Sequence, residues 1–480
     1  MPWKIQQVVE DEIKLGIPSR FQLPPDMGEA LPPRVFTSTY FDTARHRLGQ
    51  LGLTLRKRIE HSHGVWQLKI PSGAVRLELE IDSGSRSIPW EFQDLLTAFF
   101  RKQEAVQLGK LRTKRKGVRI QKDNQVIAEV VQDSVALIRD TKVAHSFQEL
   151  EVELQEGTAA QLKPIRKILL QAGAEEKPLQ PKIFQALQLP YPLVLAFSDS
   201  SAPPTEHIRE RLHSQYFQML QHDPGTRLGR DSEALHQMRV ATRRMRAIIR
   251  AVRSFLAPEW TEPIRQELGW VGALLGEVRD WDVLLEYVRQ NFHDFSSQEQ
   301  RSFQSILNKF EDQQSIARAK LLEGLRSDRY LNLLNQLEDS LPHLPFQPSP
   351  LTIADLAKKA FYKLQDFVNT SNHLFPKPEL HRTRILLKRS RYALELAEPW
   401  LGKRAKRFLQ QAKHTQDLLG QHQDAVVAES RLLALKQHSR GIAMAYVTGL
   451  MVERLRNQQA KVYQQIPEQW EKLEKQGKKL

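Results

Sequence analysis

Cysteine is absent from all 480 residues, which excludes disulfide frameworks, thiolate zinc sites, iron–sulfur clusters and cysteine nucleophiles together. Any metal must therefore rest on oxygen or imidazole ligands. Long apolar runs are missing too: no window approaches about 18 uncharged apolar residues, and the opening MPWKIQQVVEDEIKLGI has no apolar signal core. A cytoplasmic protein with no membrane partner is the expectation. Acid is in deficit, with 56 Asp and Glu against 71 Lys and Arg and a formal net charge of +15. The excess is uneven, +4 over residues 1–200 and +11 over 201–480, so the C-terminal part is the side expected to face a polyanion. Hydrophobic content of 40% rules out wholesale disorder and can supply a core to each of several domains.

From Glu10 to about Glu153 the hydrophobic pattern repeatedly has period two, as in LTLRKRIE, VWQLKI, VRLELEID, VIAEVVQD and FQELEVEL. Turn signals at Pro71-Ser72-Gly73 and Lys122-Asp123-Asn124 fall between them, so the pattern predicts a many-stranded antiparallel sheet or barrel. Stretches at 88–107 and 159–172 have helical spacing, making this domain α+β, with its end near residue 190. A Pro- and Ser-rich connector is expected over 191–204. Beyond it the period is 3.6, broken by SLPHLPFQPSP, and an all-α bundle is expected over 205–465 with a basic tail at 466–480.

The bundle contains a duplication. His236-Gln-Met-Arg239-Val-Ala-Thr-Arg243-Arg244-Met-Arg246 returns 145 residues later as His381-Arg-Thr-Arg384-Ile-Leu-Leu-Lys388-Arg389-Ser-Arg391. Leu275-Gly276 with Asp280 is echoed by Leu419-Gly420 with Asp424, which sets the repeats at 205–340 and 352–460. At about 100° per residue, His236, Arg239, Arg243 and Arg246 share one helical face, and His381, Arg384, Lys388 and Arg391 do likewise. Two cationic stripes related by a pseudo-twofold are expected to line one groove. Guanidinium forks and lysine charge suit phosphate oxygens, and histidine adds a donor. Asp280 and Asp424 are expected to hold these bases rather than contact a ligand.

In the first domain, strand alternation puts Glu10, Glu12 and Lys14 on one face. The same logic pairs Arg56 with Arg58, Arg76 with Glu78 and Glu80, and Glu149 with Glu151 and Glu153, while Glu129 and Asp133 share parity. Carboxylate rows alternating with basic rows predict a barrel with a charged interior. An apolar core could not tolerate them, and paired carboxylates there suit a hard divalent cation.

These motifs carry two resemblances. HQMRVATRRMR, LGEVRDWDV, HRTRILLKRSRYALE and LGQHQDAVV resemble the CHAD domain, a helical duplicated module. That resemblance implies inorganic polyphosphate bound through His236, Arg239, Arg243, Arg244, Arg246, His381, Arg384, Lys388, Arg389 and Arg391. The ExExK signature at Glu10, Glu12 and Lys14, followed by YFDT, LTLRKR, WQLK, RLELE and ELEVEL, resembles the CYTH family of triphosphate tunnel metalloenzymes. It implies that Lys14, Arg56, Arg58, Lys69, Arg76, Arg115 and Lys182 grip a triphosphate. Glu10, Glu12 and one or more of Glu149, Glu151 and Glu153 would hold Mg²⁺ or Mn²⁺. Arg112, Lys114 and Arg115 compete for one role, because Val118 stands where the family commonly has an aromatic residue.

The expected activity is divalent-metal-dependent hydrolysis of inorganic triphosphate or short polyphosphate, with Glu10, Glu12, Lys14, Arg56 and Arg58 as the catalytic set. Association with polyphosphate granules is a further expectation. The alternatives are a non-catalytic polyphosphate binder and, less favoured, an adenylate cyclase. Retained carboxylates argue against the first, and no nucleoside pocket is legible for the second. Nucleic acid is disfavoured as a partner, because no groove-reading or RNA-stacking motif accompanies the basic charge.

Overall fold

The structure, a computed structural model, describes residues 5–18, 20–72, 75–177, 180–189, 201–291, 296–370, 375–437 and 442–480. It divides into two compact units, 1–194 and 195–480. Residues 191–200 of the expected connector lie outside the described residues.

Unit 1 contains β1 (Gln6–Glu10), β2 (Glu12–Gly16), β3 (Glu29–Asp42), α1 (Arg47–Gln50), β4 (Thr54–Glu60), β5 (His63–Ser72) and β6 (Val75–Asp82). After these come α2 (Trp90–Leu95), α3 (Thr97–Phe100), β7 (Val106–Lys122), β8 (Gln125–Arg139), β9 (Lys142–Leu154), α4 (Leu162–Gln171), β10 (Glu175–Glu176) and α5 (Lys182–Ala186). The ten strands form one sheet in the order β1-β6-β5-β4-β3-β7-β8-β9-β2-β10. Asp11 alone separates β1, which pairs with β6, from β2, which pairs with β9. One residue spans only a few ångströms of chain, so this run draws the two ends of the sheet together and closes a barrel. Three hairpins are two-residue turns with both φ positive, at His61-Ser62, Asp123-Asn124 and Asp140-Thr141, the conformation whose twist matches the flanking strands. Pro71 and Ser72, expected in a turn, belong to β5, and the residues that follow at 73–74 lie outside the described ones.

The barrel is apolar outside and charged inside. Leu15, Val130, Leu150 and Val152 face outward and are covered by Leu162, Ile165 and Leu169 of α4. Their sequence neighbours therefore point inward. One end of the interior is apolar: Tyr40, Leu111, Val135 and Leu137 share the inward parity of Arg115 and Asp133, and they pack against Ile183, Phe184 and Ala186 of α5. The buried Asp42 carboxylate positions this stopper. It accepts the backbone N–H groups of Thr43, Leu48 and Gly49 at 2.6, 2.9 and 2.9 Å, fixing α1, and the Phe184 ring then rests on Gly49.

Unit 2 contains α6 (Pro204–Leu228), α7 (Ser232–Ala251), α8 (Pro258–Asn291), α9 (Ser297–Arg326), α10 (Asp328–Ser340), α11 (Ile353–Thr370), α12 (Lys377–Gln437) and α13 (Ile442–Gly477). The duplication is visible in the helices. His236 and His381 open equivalent helices, and Gly402, at φ 55 and ψ −131, breaks α12 where the first repeat turns between α7 and α8. The glycine has no Cβ to oppose that backbone. Leu284 and Val288 of α8, Phe303 of α9, Ala425 and Leu432 of α12, and Met451 and Leu455 of α13 form one shared core. Residues 466–480, read as a tail, instead continue α13 to Gly477 and bury Ile466, Trp470 and Leu473. Their polar composition hid the helical spacing of these three apolar residues.

A Cβ on Gly49 would lie 1.7 Å from Phe184 Cζ. Gly49→Ala is therefore expected to destabilise the chain by about 1–3 kcal/mol through overpacking, lowering the urea midpoint. Gly84→Ala, whose Cβ would meet nothing within 4 Å, is the matched control expected to leave the midpoint unchanged.

Candidate functional site: a charged tunnel and a basic cleft

Inward parity on β2 to β9 gathers charged side chains around a cavity of about 180 Å³. Eight basic residues line it: Lys14, Arg34, Arg56, Arg58, Lys69, Arg76, Arg115 and Lys182. Each has a carboxylate partner. Lys14 Nζ is 2.7 Å from Glu151 and 3.7 Å from Glu12, and Arg76 donates to Glu12 at 3.0 Å. Glu78 lies 3.2 Å from Lys69 and 3.7 Å from Arg56. Arg56 also donates to Gln67 at 2.7 Å and to the Tyr40 hydroxyl at 3.2 Å, and Gln67 in turn donates to Glu80. Near Phe36, Arg34 grips Glu60 with two bonds of 2.7 Å, and Arg58 joins the same carboxylate at 2.7 Å. The Arg58 guanidinium stacks 3.9 Å from the Phe36 ring centre.

The deepest part is a lattice of three bases, Lys14, Arg115 and Lys182, and four carboxylates, Asp133, Glu149, Glu151 and Glu153. Arg115 donates to Asp133 at 2.9 and 2.8 Å and to Glu151 at 2.6 Å, and it reaches Glu153 at 3.2 Å. Lys182 Nζ meets Asp133, Glu151 at 3.0 Å and Glu149 at 3.1 Å. Burial alone would neutralise these groups, yet the mutual attraction wins. Burial opposes the charged form of Glu151, but Lys14, Lys182 and Arg115 hold it well below the usual carboxylate range. Burial likewise opposes the Lys182 ammonium, and Glu151, Asp133 and Glu149 raise it well above its ordinary value.

Two carboxylate trios have oxygens within 4.8 Å of one another: Glu12, Glu151 and Glu153, and Asp133, Glu149 and Glu151. All donors are oxygen, the chemistry that suits a hard divalent cation. One ammonium, Lys182, touches all three carboxylates of the second trio, whereas those of the first are shared among Lys14, Arg76 and Arg115. Glu10 ends β1 opposite Arg76, and its side chain lies outside the described residues.

In unit 2, α7 and α12 pack together, and Arg243 Nε donates to the Tyr392 hydroxyl at 3.2 Å. Between them opens a cavity of about 500 Å³ whose lining includes His236, Arg239, Arg243, Arg279, Arg384 and Lys388 together with Asp280, Asp417 and Asp424. Arg239 lies 3.4 Å from Asp280. Here the bases crowd one another. Burial, then Arg384, Arg243 and Arg239, lower the Lys388 amine from its ordinary 10.5 to about 7. His236 Nδ1 and Arg384 Nε are buried and make no hydrogen bond.

The CYTH domain family matches residues 12–180, the stretch that builds the tunnel, and the CHAD domain family matches residues 210–433, the stretch that builds the cleft. The chain carries a CYTH domain followed by a CHAD domain. An uncharacterized protein of Mycobacterium tuberculosis is 26% identical over 435 residues, 84% of this chain and 83% of its own. Among solved structures, PptA from Streptomyces chartreusis is 21% identical with a TM-score of 0.47, covering 56% of this chain and 100% of its own. The CHAD domain from the plant Ricinus communis is 25% identical with a TM-score of 0.45, covering 58% and 96%.

Of the expected CYTH residues, Glu12, Lys14, Arg56, Arg58, Lys69, Arg76, Arg115, Glu151, Glu153 and Lys182 gather at the tunnel. Glu149 stands behind Lys182. Parity decides among the three bases of β7: Arg115 points inward with Leu111 and Thr113, whereas Arg112 and Lys114 are exposed outside. Glu129 shares the parity of Asp133 but pairs with Arg119 at 2.8 Å, away from the lining. Arg34, Phe36, Tyr40 and Gln67 escaped sequence reading, although even-numbered parity along β3 could have found the first three.

In the CHAD domain the cleft takes His236, Arg239, Arg243, Arg384 and Lys388 but not Arg244, Arg246, His381, Arg389 or Arg391. Arg246 is ten residues from His236, about 15 Å along the helix. His381 meets Gln423 at 3.1 Å, and the buried Arg391 pairs with Glu395 at 3.4 Å.

Lys182→Met leaves buried carboxylates uncompensated and is expected to cost about 3–5 kcal/mol at pH 7. The folded pKa values of Glu151 and Asp133 are depressed, so the wild-type advantage exists above their unfolded values and should fade as pH falls below about 4. Urea midpoints at both pH values check this. In the cleft, NMR titration of methylated lysines should place the Lys388 midpoint near 7. Through this group stability should rise with pH between about 7 and 10.5, because only the unfolded chain keeps the proton there. Lys388→Met should flatten that rise.

Proposed function

We propose that the CYTH tunnel hydrolyses inorganic triphosphate with a divalent metal, and that the CHAD cleft binds inorganic polyphosphate. The observation that carries the reading is a closed barrel whose interior presents carboxylate trios and guanidinium groups to the same small cavity. A pure anion binder gains nothing from acids in its site. The CYTH family includes triphosphatases and cyclases, and the tunnel supplies phosphate-binding forks without an evident base pocket. Soluble triphosphate and polyphosphate are thus the partners proposed, and no described helix is long and apolar enough to cross a membrane.

Glu12, Glu151 and Glu153 would hold Mg²⁺ or Mn²⁺, which supplies charge neutralisation at a phosphate oxygen. Arg56 and Arg58, on alternate positions of β4, would clamp the chain and absorb charge as the bridging bond loosens. Lys14, Lys69, Arg76 and Arg115 would leave their carboxylates for phosphate oxygens. Lys182, locked among Asp133, Glu149 and Glu151, would stay in place and offset part of their charge. Gln67 holds the Arg56 fork, and Glu78, between Arg56 and Lys69, or its strand neighbour Glu80 would orient a water for in-line attack. Binding would thus be an exchange: Lys14, Lys69, Arg76 and Arg115 each trade a carboxylate for a phosphate, and the released carboxylates need a cation. In the CHAD cleft, His236 and Arg384 offer unsatisfied donors to the same chemistry.

Phosphate release from triphosphate, long-chain polyphosphate and ATP, each with Mg²⁺, Mn²⁺ or chelator, tests the reading. Triphosphate should be turned over with metal alone; preference for ATP with a cyclic product would overturn it. Glu12→Gln should abolish turnover with the fold intact, and Arg56→Ala or Arg58→Ala should each lower kcat by roughly 10²-fold or more. Loss of affinity with kcat preserved would reassign those arginines to capture.

A further inference from the structure

Among the described residues, Lys388 lines the CHAD cleft without an ion pair or a hydrogen bond. It is half-buried on α12, one turn past Arg384, and Arg239 and Arg243 stand one turn apart on the packed α7. The bond from Arg243 to the Tyr392 hydroxyl holds that guanidinium beside the turn of α12 that follows Lys388. Of the other helices at the cavity, α8 adds Arg279 and Asp280, and α13 contributes only the uncharged Leu455 and Gln458. The acids do little to offset this charge at the amine: Asp280 lies 3.4 Å from Arg239, and burial lifts the Asp424 carboxyl above its usual range against the pull of Arg384.

Like charges brought together in a partly desolvated site favour the neutral amine, and burial, then Arg384, Arg243 and Arg239, bring Lys388 to about 7. A neutral amine adds to carbon dioxide, whereas an ordinary lysine, near 10.4, is almost wholly protonated at neutral pH and does not. In that addition the nitrogen lone pair forms an N–C bond and one C–O π pair moves onto oxygen. The surplus proton on nitrogen passes to water, and the product is a carbamate anion. The guanidinium groups that drive the proton off the amine are also those that would bind the product. Arg384 Nε is buried with no acceptor, and guanidinium forks match a planar pair of oxygens. Excess positive charge thus favours both the reactive amine and the anion it forms. A cavity of about 500 Å³ has room for the three added atoms.

We infer that Lys388 is a site of reversible modification by carbon dioxide, which adds to its Nζ to give a carbamate held by Arg239, Arg243 and Arg384. The modification stands independently of the polyphosphate reading, and only its consequence for polymer binding rests on that reading. A carbamate puts an acid in place of a base in the middle of the second stripe. Carbon dioxide and polyphosphate therefore oppose each other in the cleft, each lowering the affinity for the other by the same factor.

The test equilibrates the full chain with carbon-13-labelled carbon dioxide in phosphate-free buffer near neutral pH and follows the carbamate carbon by NMR. Alkylation with triethyloxonium then traps carbamates for location by mass spectrometry. Trapping at Lys388 should exceed that at the exposed Lys475 and Lys479 at least about tenfold, and Lys388→Met should remove the corresponding resonance. Arg384→Gln should lower occupancy at least about threefold, because it returns the amine toward its ordinary value and withdraws a donor. Asp424→Asn should raise it, and opposite responses of this kind are not produced by a general loss of fold. Long-chain polyphosphate should suppress trapping, and carbon dioxide should weaken polyphosphate binding to the wild type but not to Lys388→Met. Trapping at Lys388 no greater than at the exposed lysines overturns the inference. If Lys388 is modified but polyphosphate leaves the trapping unchanged, the polyphosphate reading of the cleft fails and the carbamate stands. If Arg239→Glu with Arg384→Glu abolishes polymer binding while Lys388 yields no carbamate, only the carbamate fails.

Discussion

Each base lining the CYTH tunnel lies within 4.0 Å of a carboxylate, and the rest of the domain follows from that pairing. Charges in a barrel interior are tolerable only if matched, so the inward bases of the neighbouring β3, β4, β5 and β7 must meet carboxylates supplied by β4, β6, β8 and β9. With the interior given to charge, apolar burial has to move outside, where α4 covers one face. The same constraint explains the stopper. An apolar end closed by Ile183 and Phe184 limits water in the lattice, and the preceding Lys182 delivers one of the balancing charges.

The two domains treat charge in opposite ways. In the tunnel, opposite partners hold Lys14, Arg115 and Lys182 firmly protonated and Glu151 firmly ionised. In the CHAD cleft, buried bases outnumber their acids, and Lys388 is pushed toward neutrality. A self-balanced site resists a lone ligand of either sign, because taking up one disrupts existing pairs. An under-neutralised site favours a polyanion outright. This difference suits a site that selects a small ligand with its cation and a site that holds a long polymer.

Strand parity made most of the tunnel legible in sequence: once β2, β4, β6 and β9 are recognised, Lys14, Arg56, Glu78 and Glu151 must share an interior. The long β3 was obscure because Pro32 and Pro33 interrupt it, and Arg34 and Tyr40 were lost with it. The choice of Arg115 over its neighbours needed the register of β7. The helical repeat revealed a shared cleft, but not how far along each stripe the cleft runs. His236 and Arg246 share a face yet sit too far apart along α7 to meet one ligand pocket, and Arg391 turns inward to Glu395. The apolar spacing at the end of α13 is carried by Ile466, Trp470 and Leu473 alone in a highly charged stretch, too thin a signal to read as packing.

The central claim is that bases and carboxylates in the tunnel release one another together, so that metal and triphosphate bind as a coupled pair. Mn²⁺ binding to the full chain, followed by electron paramagnetic resonance with and without a non-hydrolysable triphosphate analogue and corrected for Mn²⁺ held by the free analogue, tests this most directly. The account predicts that saturating analogue tightens Mn²⁺ at the tunnel by about tenfold or more, within the usual range of coupling between sites, and that Glu12→Gln removes the gain. Equal Mn²⁺ affinity with and without the analogue would contradict it.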